Sequence, residues 1–139
     1  MPKISTFEDL EIWKLSRQLN IDMFQLLVRK DDKVYGFLIN HLFKTSGSIM
    51  DNIAEGFERG GNKEFINFLS YSKGSAGELR PQFYRALDVE VINQEEFKKL
   101  QSQTLEISKQ LSLFIKYLKN SEYKGSKFKE PPAKYGKEE

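Results

Sequence analysis

Apolar residues recur at the period of an α-helix through most of the first 120 residues of the chain. The clearest stripe alternates spacings of three and four along Phe97, Leu100, Thr104, Ile107, Leu111, Phe114 and Leu118. A stripe of this kind is typical of an amphipathic helix that packs on its neighbours at a small crossing angle. Three earlier segments show the same period, and no segment alternates with the period of two that marks a strand. The sequence therefore predicts an all-α protein.

Residues that favour helix ends divide this pattern into four helices. Thr6 with Asp9, and Asn93 with Glu96, match the capping box that satisfies the first amides of a helix. Asp31-Asp32 and Asn62 supply further N-caps, and Gly60-Gly61 ends the second helix. The predicted helices span about residues 7–29, 33–59, 63–88 and 94–119. Short connections make sequential helices antiparallel, so we expect an up-down-up-down four-helix bundle.

Two features of the third predicted helix bear on its shape. Pro81 removes one backbone hydrogen bond and crowds the carbonyl of Gly77, which predicts a kink between them. The small residues of the segments 45–48 and 74–77 lie opposite each other when the chain folds back at Gly61. Because a mid-helix glycine costs about 1 kcal/mol relative to alanine, these patches predict a close approach of helices two and three.

Composition limits the chain to one domain and excludes several chemistries. The 139 residues contain no cysteine, 22 Lys and Arg against 20 Asp and Glu, and 39% apolar residues. One ordinary core suffices at this length, and disulfides and thiolate metal sites are excluded. No apolar run approaches the length of a membrane span, so a cytoplasmic protein without membrane contact is expected. Residues 121–139 are rich in Lys, Glu, Pro and Gly and predict a flexible, disordered tail.

Charged residues close to the apolar stripes predict a polar layer inside the bundle. Asn52, Glu55 and Arg59 fall at spacings of three and four, and Arg17 and Glu78 can reach the same level. The functional alternative is a pair of catalytic or metal-binding carboxylates, Glu55 and Glu78.

The ligand count disfavours that alternative. A di-iron bundle needs two Glu-x-x-His pairs, whereas this chain has one histidine, His41, with Leu38 three residues before it. We therefore expect a structural network, and no catalytic residue, metal site or cofactor.

Lysines near the C-terminal end are the candidate nucleic-acid contacts. Aromatic rings interleave with those of the tail, as in single-strand binding segments. The plainer interpretation is a solvated face of helix four. The candidates are Lys98, Lys99, Lys109, Lys116, Lys119, Lys124, Lys127 and Lys129.

Apolar residues off the main stripes support another hypothesis, a scaffold that binds proteins. Leu15, Phe43 and Tyr84 lie outside the predicted core positions. Apolar groups that a bundle cannot bury often mark subunit or partner surfaces. Partial burial at the bundle edge is the alternative.

Several motifs resemble a known family. They are Asn52-Ile53-Ala54-Glu55-Gly56 with its flanks in residues 48–57, the segments 63–69 and 73–79, the opening at 7–14, and Tyr35-Gly36-Phe37. The chain resembles the four-helix-bundle proteins encoded in 23S ribosomal RNA intervening sequences over about residues 7–118. This family includes the accessory variability proteins of diversity-generating retroelements, which partner a reverse transcriptase.

The resemblance implies a small bacterial, non-enzymatic bundle that assembles as a ring-like homopentamer. It also implies binding of RNA or a reverse transcriptase, as in the retroelement branch. The chain departs from the family pattern at four positions: Met50 replaces a frequent proline, Phe43-Lys44 replaces paired arginines, and Pro81 lies where the family usually continues its helix.

Overall fold

The computed structural model describes residues 4–28 and 32–121, with side chains from residue 35 onward in the second range. A short 3-10 turn, Phe7–Asp9, precedes four helices: α1, Glu11–Leu27; α2, Asp32–Arg59; α3, Asn62–Asp88; and α4, Gln94–Lys119. No strand occurs in these residues, so the predicted all-α, four-helix fold is confirmed. The predicted tail lies outside the described residues except for Ser121.

The four helices close into a bundle. Within the described ranges, α1 packs on α2 and α4, and α3 packs on the same two helices, whereas the diagonal pairs are not in close contact. This order is that of an antiparallel up-down-up-down bundle. The buried rings of Phe57, Phe65 and Phe114 join α2, α3 and α4, with Phe65 meeting the other two edge to face at 5.9 and 5.6 Å.

The first helix begins later than the sequence predicts. Thr6 and Asp9 do form the capping box, and the amides of Ser5 and Thr6 donate to the Asp9 carboxylate at 3.0 and 3.1 Å. These two backbone donors lower the pKa of Asp9. However, the box encloses only the 3-10 turn, because Leu10 is extended, with a ψ of 131°, and completely buried. The chain leaves helical geometry there while placing Leu10 in the core, and α1 starts at Glu11.

The caps of the later helices follow the sequence more closely. The Asn93 side chain accepts the amide of Glu96 at 2.8 Å, and the Glu96 carboxylate accepts the amide of Asn93. Gly60 follows α2 with a φ of 87°, the left-handed conformation that favours glycine. Asn62 is the first residue of α3 rather than its cap, which is Gly61. Its side chain instead donates to the Leu118 carbonyl at 3.2 Å, which links the start of α3 to the end of α4.

Pro81 does not interrupt α3, which is continuous from Asn62 to Asp88. The proline lies on the exposed side of this helix.

The predicted close approach of α2 and α3 is present, but its tightest point lies outside the two small-residue segments. Ser48 and Ser75 hydroxyls lie 3.0 Å apart, so the two small-residue patches do meet. Their glycines do not make the contact, because a Cβ added to Gly47, Gly74 or Gly77 would have nothing within 4 Å. The tight position is Gly56, where a Cβ would lie 2.5 Å from the Phe68 Cβ. Gly56 therefore lets the Phe68 side of α3 approach the α2 backbone.

We predict opposite effects of alanine at two glycines of α2. Gly56→Ala should lower the free energy of unfolding by about 1–3 kcal/mol, because the methyl group forces the Phe68 side of α3 away. Gly47→Ala, the matched control, should raise it by up to about 1 kcal/mol through helix propensity alone. Urea denaturation followed by circular dichroism measures both, and equal effects would contradict the assignment of the tight contact to Gly56.

Candidate nucleic-acid interface

The charged residues predicted to form an internal polar layer lie on the surface instead. Arg17, Glu55, Arg59 and Glu78 are all exposed, and only Asn52 is half-buried. The prediction of a layer inside the bundle was therefore wrong for the four charged residues. Spacings of three and four mark one side of a helix, but they do not distinguish its core from the flank beside it.

Each of these side chains finds a partner at the bundle edge. Arg59 donates to Glu55 at 2.8 Å and its guanidinium carbon lies 4.9 Å from the Phe68 ring centroid. The hydrogen bond to Glu55 raises the pKa of Arg59. Arg17 lies over the Trp13 ring.

The other two side chains lie on the seam between α2 and α3. Asn52 donates to the Ser48 carbonyl at 2.8 Å. The Glu78 carboxylate is 3.9 Å from His41 Nε2. Apart from the Arg59–Glu55 pair, these five residues contact other partners and do not converge on a shared site.

The polar groups that do enter the interior are small or uncharged. Thr104 donates to the Leu100 carbonyl at 2.8 Å, and Ser16 bonds the carbonyl one turn before it in the same way. Asn20 and Ser46 bond each other across α1 and α2, with the Ser46 hydroxyl donating to Asn20 Oδ1 at 2.8 Å. The buried polar residues are Ser16, Thr45, Ser46, Ser72, Gln82, Gln101 and Thr104. In the sequence Asn20 lies seven residues from both Trp13 and Leu27, and this helical spacing is the signal that could have identified the contact.

Gln101 leaves more of its polar atoms unpaired than any other of these interior groups. The residue is only 9% exposed, and neither its Nε2 nor its Oε1 has a hydrogen-bond partner. In the described part of the chain it is the one side chain whose amide nitrogen and oxygen are both buried and unpaired. An unpaired buried polar group costs about 1–3 kcal/mol. Gln101 leaves two such atoms unpaired, whereas buried Gln82 leaves one, its Oε1.

The lysines predicted on helix four are all exposed, and three of them share one face of α4. Lys98, Lys109 and Lys116 are separated by 11 and 7 residues, which brings them to within about 20° around a helix of 3.6 residues per turn. Lys99 and Lys119 point about 100° and 60° away from that face. Among the described residues, none of the five forms an ion pair. Lys124, Lys127 and Lys129 lie outside the described residues.

The register of α3 against α4 adds two cations that the sequence analysis missed. The Tyr84 ring packs on Phe97 with centroids 4.8 Å apart, and Asn62 contacts Leu118, so the helices are antiparallel. This register places Arg80 level with Gln101, and Lys73 level with Ser108. We call the exposed set Lys73, Arg80, Lys98, Lys109 and Lys116 the α3–α4 basic face. The seven-residue spacing of Lys73 and Arg80 was visible in the sequence. The sequence did not show which side of α3 packs against α4.

A shallow groove of about 450 Å³ lies on the α4 part of this face and is lined by α4 residues alone. Leu105 is 44% exposed and contributes apolar surface, whereas Phe97 is only 7% exposed. Gln101 lies between them along the helix. Lysines border the groove at both ends, about 16 Å apart along the axis. The lining residues are Phe97, Lys98, Gln101, Ser102, Leu105, Glu106 and Lys109.

The apolar residues expected to lie outside the core behave differently from one another. Leu15 and Phe43 are half-buried and pack against the core, which is the alternative of partial burial at the bundle edge, whereas Tyr84 is 53% exposed. A group of exposed apolar side chains, Ile21, Phe24 and Val28, lies along one side of α1 and its C-terminal end. Phe24 meets Phe43 of α2 with ring centroids 6.3 Å apart.

The described residues contain no group of three or more His, Cys, Asp or Glu side chains that could hold a metal ion. His41 instead faces Gln82, with the two Nε2 atoms 3.3 Å apart. None of the helices in the described part is long and apolar enough to span a membrane.

These features define a small all-α bundle with a basic outer face. A family model described as 23S rRNA-intervening sequence protein matches residues 8–113, so the chain belongs to that family. It is similar in structure to a protein of unknown function from the S23 ribosomal protein family of Bacteroides thetaiotaomicron. That match has a TM-score of 0.68 and 21% identity, and covers 76% of this chain and 98% of the other. A comparison with curated proteins gives no match.

We predict that Gln101→Leu stabilises the fold. The substitution removes two unpaired buried polar atoms and keeps most of the side-chain volume, so the free energy of unfolding should rise by about 1 kcal/mol. Urea denaturation measures the change. A loss of stability would mean that the amide is paired in solution.

Proposed function

We propose that this protein is a non-enzymatic, homo-oligomeric bundle that binds RNA through the α3–α4 basic face. The observation that carries the proposal is the alignment of Lys98, Lys109 and Lys116 on one exposed side of α4, without ion-pair partners among the described residues. Unpaired cations in a row attract a phosphate backbone and release its counterions on binding. The groove between them also offers apolar surface against which a base can pack.

Oligomerisation is part of the proposal because one basic face is a modest electrostatic site. The whole chain has a net charge of +2, and Glu106 lies within the basic face. Several copies of the face in one assembly would raise the affinity for a long RNA without any new contact. The family resemblance suggests five subunits, and the exposed apolar residues of α1 supply a surface that a second copy can cover.

A protein-binding scaffold is the second candidate function, and a specific observation favours it. Phe37 near the start of α2 is 81% exposed, and Tyr71 and Tyr84 are each more than half exposed. Exposed aromatic rings are enriched at protein interfaces, so a protein partner such as a reverse transcriptase could bind there with no role for the lysines.

RNA binding should depend on salt and on the three aligned lysines. For a single-stranded 30-nucleotide RNA, the triple variant Lys98→Gln, Lys109→Gln, Lys116→Gln should lose about two units of the slope of log affinity against log salt. The control variant Lys14→Gln, Lys44→Gln, Lys63→Gln changes the same charge on three other exposed lysines and should bind much more like the unmodified protein. Filter binding between about 50 and 200 mM salt measures both.

Equal losses in the two variants would show that the protein binds RNA only through its overall charge. Absence of binding at the lowest salt would overturn RNA binding itself and leave the scaffold as the remaining candidate.

We predict that the protein is an oligomer in solution and that the exposed side of α1 helps to hold it together. Size-exclusion chromatography with light scattering should give a mass near five times 16.2 kDa. Phe24→Glu should shift the protein toward monomer, because it places a charge in an apolar interface. Glu11→Gln, an exposed change near the other end of α1, is the control. A monomer for the unmodified chain would contradict the prediction.

A further inference from the structure

The cations of the α3–α4 basic face form two rows, one on each helix. In the register of the two helices, Lys73 of α3 lies about 2 Å along the axis from Lys109 of α4. Arg80 of α3 lies about 4 Å from Lys98 in the same way, and Lys116 extends the α4 row. Packed helices have axes about 8–10 Å apart, so the face carries two pairs of cations that face each other across the seam.

The α3 row is turned toward α4. Lys73 and Arg80 lie within about 40° of Tyr84 around α3, and Tyr84 packs on Phe97 of α4. All the cations of the face are exposed, and none of them forms an ion pair within the described part of the chain. Facing cations without a neutralising acid attract anions, and here the attraction comes from two parallel lines of charge.

The acidic side chains in this stretch of α3 and α4 lie outside the space between the rows. Glu78 of α3 is on the α2 side, where its carboxylate is 3.9 Å from His41 Nε2. Glu106 of α4 lies about 60° around the helix from Gln103, which bonds Asp22 of α1 at 2.8 Å. Each carboxylate is therefore turned toward the helix on the far side of its own row.

The surface beside the cations is flat. Gly77 lies between Lys73 and Arg80 along α3, and a Cβ at Gly77 or at exposed Gly74 would have nothing within 4 Å. On α4 the space between the lysines is only a shallow groove. Apart from the cations, this face has no projecting element of the kind that enters the deep major groove of DNA.

We propose that the α3–α4 basic face binds double-helical RNA, with one row of cations on the phosphates of each strand. The inference rests on the proposed RNA binding and goes further by naming the form of RNA. A single strand has one line of phosphates and can follow only one row. An RNA duplex has a line of phosphates on each side of its wide, shallow minor groove, and a flat face can contact both lines without entering it.

The test compares an RNA duplex of about 16 base pairs with one of its strands, chosen to be unstructured. Fluorescence anisotropy between about 50 and 200 mM salt measures both affinities for the full-length protein. At the lowest salt the duplex should bind at least about ten-fold more tightly. The slope of log affinity against log salt should be about −4.5 for five phosphate contacts on the duplex and about −2 for three on the single strand.

The double variant Lys73→Gln, Arg80→Gln removes the α3 row and separates the two forms of RNA. Its affinity for the duplex should fall about ten-fold and its salt slope by about two units, whereas its affinity for the single strand should change less than about two-fold. Lys63→Gln, Arg85→Gln is the matched control, because it removes the same charges from exposed positions of α3 at least about 80° around the helix from that row. The control should keep most of the preference for the duplex.

A DNA duplex of the same sequence should bind more weakly than the RNA duplex, because its minor groove is narrow and its major groove is deep. Equal affinity for the two duplexes would overturn the assignment of the face to RNA duplexes.

Three further results would overturn the inference alone: equal affinity for duplex and single-stranded RNA, equal losses for the two forms in the α3 variant, or equal losses of duplex affinity in this variant and its control. In each case RNA binding by the lysines of α4 would stand. Absence of binding by both forms of RNA would overturn the duplex assignment and the proposed RNA binding together. The comparison of the RNA forms on the unmodified protein does not depend on how any variant folds.

Discussion

The contact of α2 with α3 at Gly56 is the constraint on which the rest of the bundle depends. Phe68 occupies the space that any side chain at position 56 would need, and the neighbouring rings of Phe57 and Phe65 meet edge to face. Phe65 then meets Phe114, so the position of α3 on α2 also sets where α4 lies. The position of the α4 lysines relative to the cations of α3 is a consequence of that arrangement.

The polar side chains in the interior are uncharged hydroxyl and amide groups, and several of them form hydrogen bonds within their own helix or with a neighbouring one. Ser16 and Thr104 bond their own helices, while Asn20 and Ser46 bond each other. Ion pairs such as Arg59 with Glu55 remain at the edge, where the charged ends keep their hydration and the stems pack on rings. Against this background the unpaired amide of Gln101 stands out, since buried groups without partners are uncommon and costly.

Much of the fold could be read from the sequence, because helical periodicity and end signals are local properties. The capping box of Asn93 with Glu96 and the glycine after α2 mark helix ends that the structure reproduces. The start of α1 was harder to predict from the sequence, because Leu10 is buried in the core like a helical residue but has an extended backbone conformation. The candidate site was harder to predict than the fold. Lys98, Lys109 and Lys116 were candidates from the sequence. Only the register of α3 against α4 shows that Lys73 and Arg80 lie beside them.

The sequence by itself determined that four amphipathic helices form, in what order they pack, and that α4 carries a row of lysines. The motif around Asn52-Ile53-Ala54-Glu55-Gly56 also indicated the family. Only the tertiary structure decided that Gly56 rather than Gly47 is the tight contact, that Glu55 and Glu78 lie outside, and that Gln101 is buried without a partner. The physical reason is that periodicity fixes which side of a helix faces inward, whereas contact, burial and pairing depend on the rotation and register of the helix opposite.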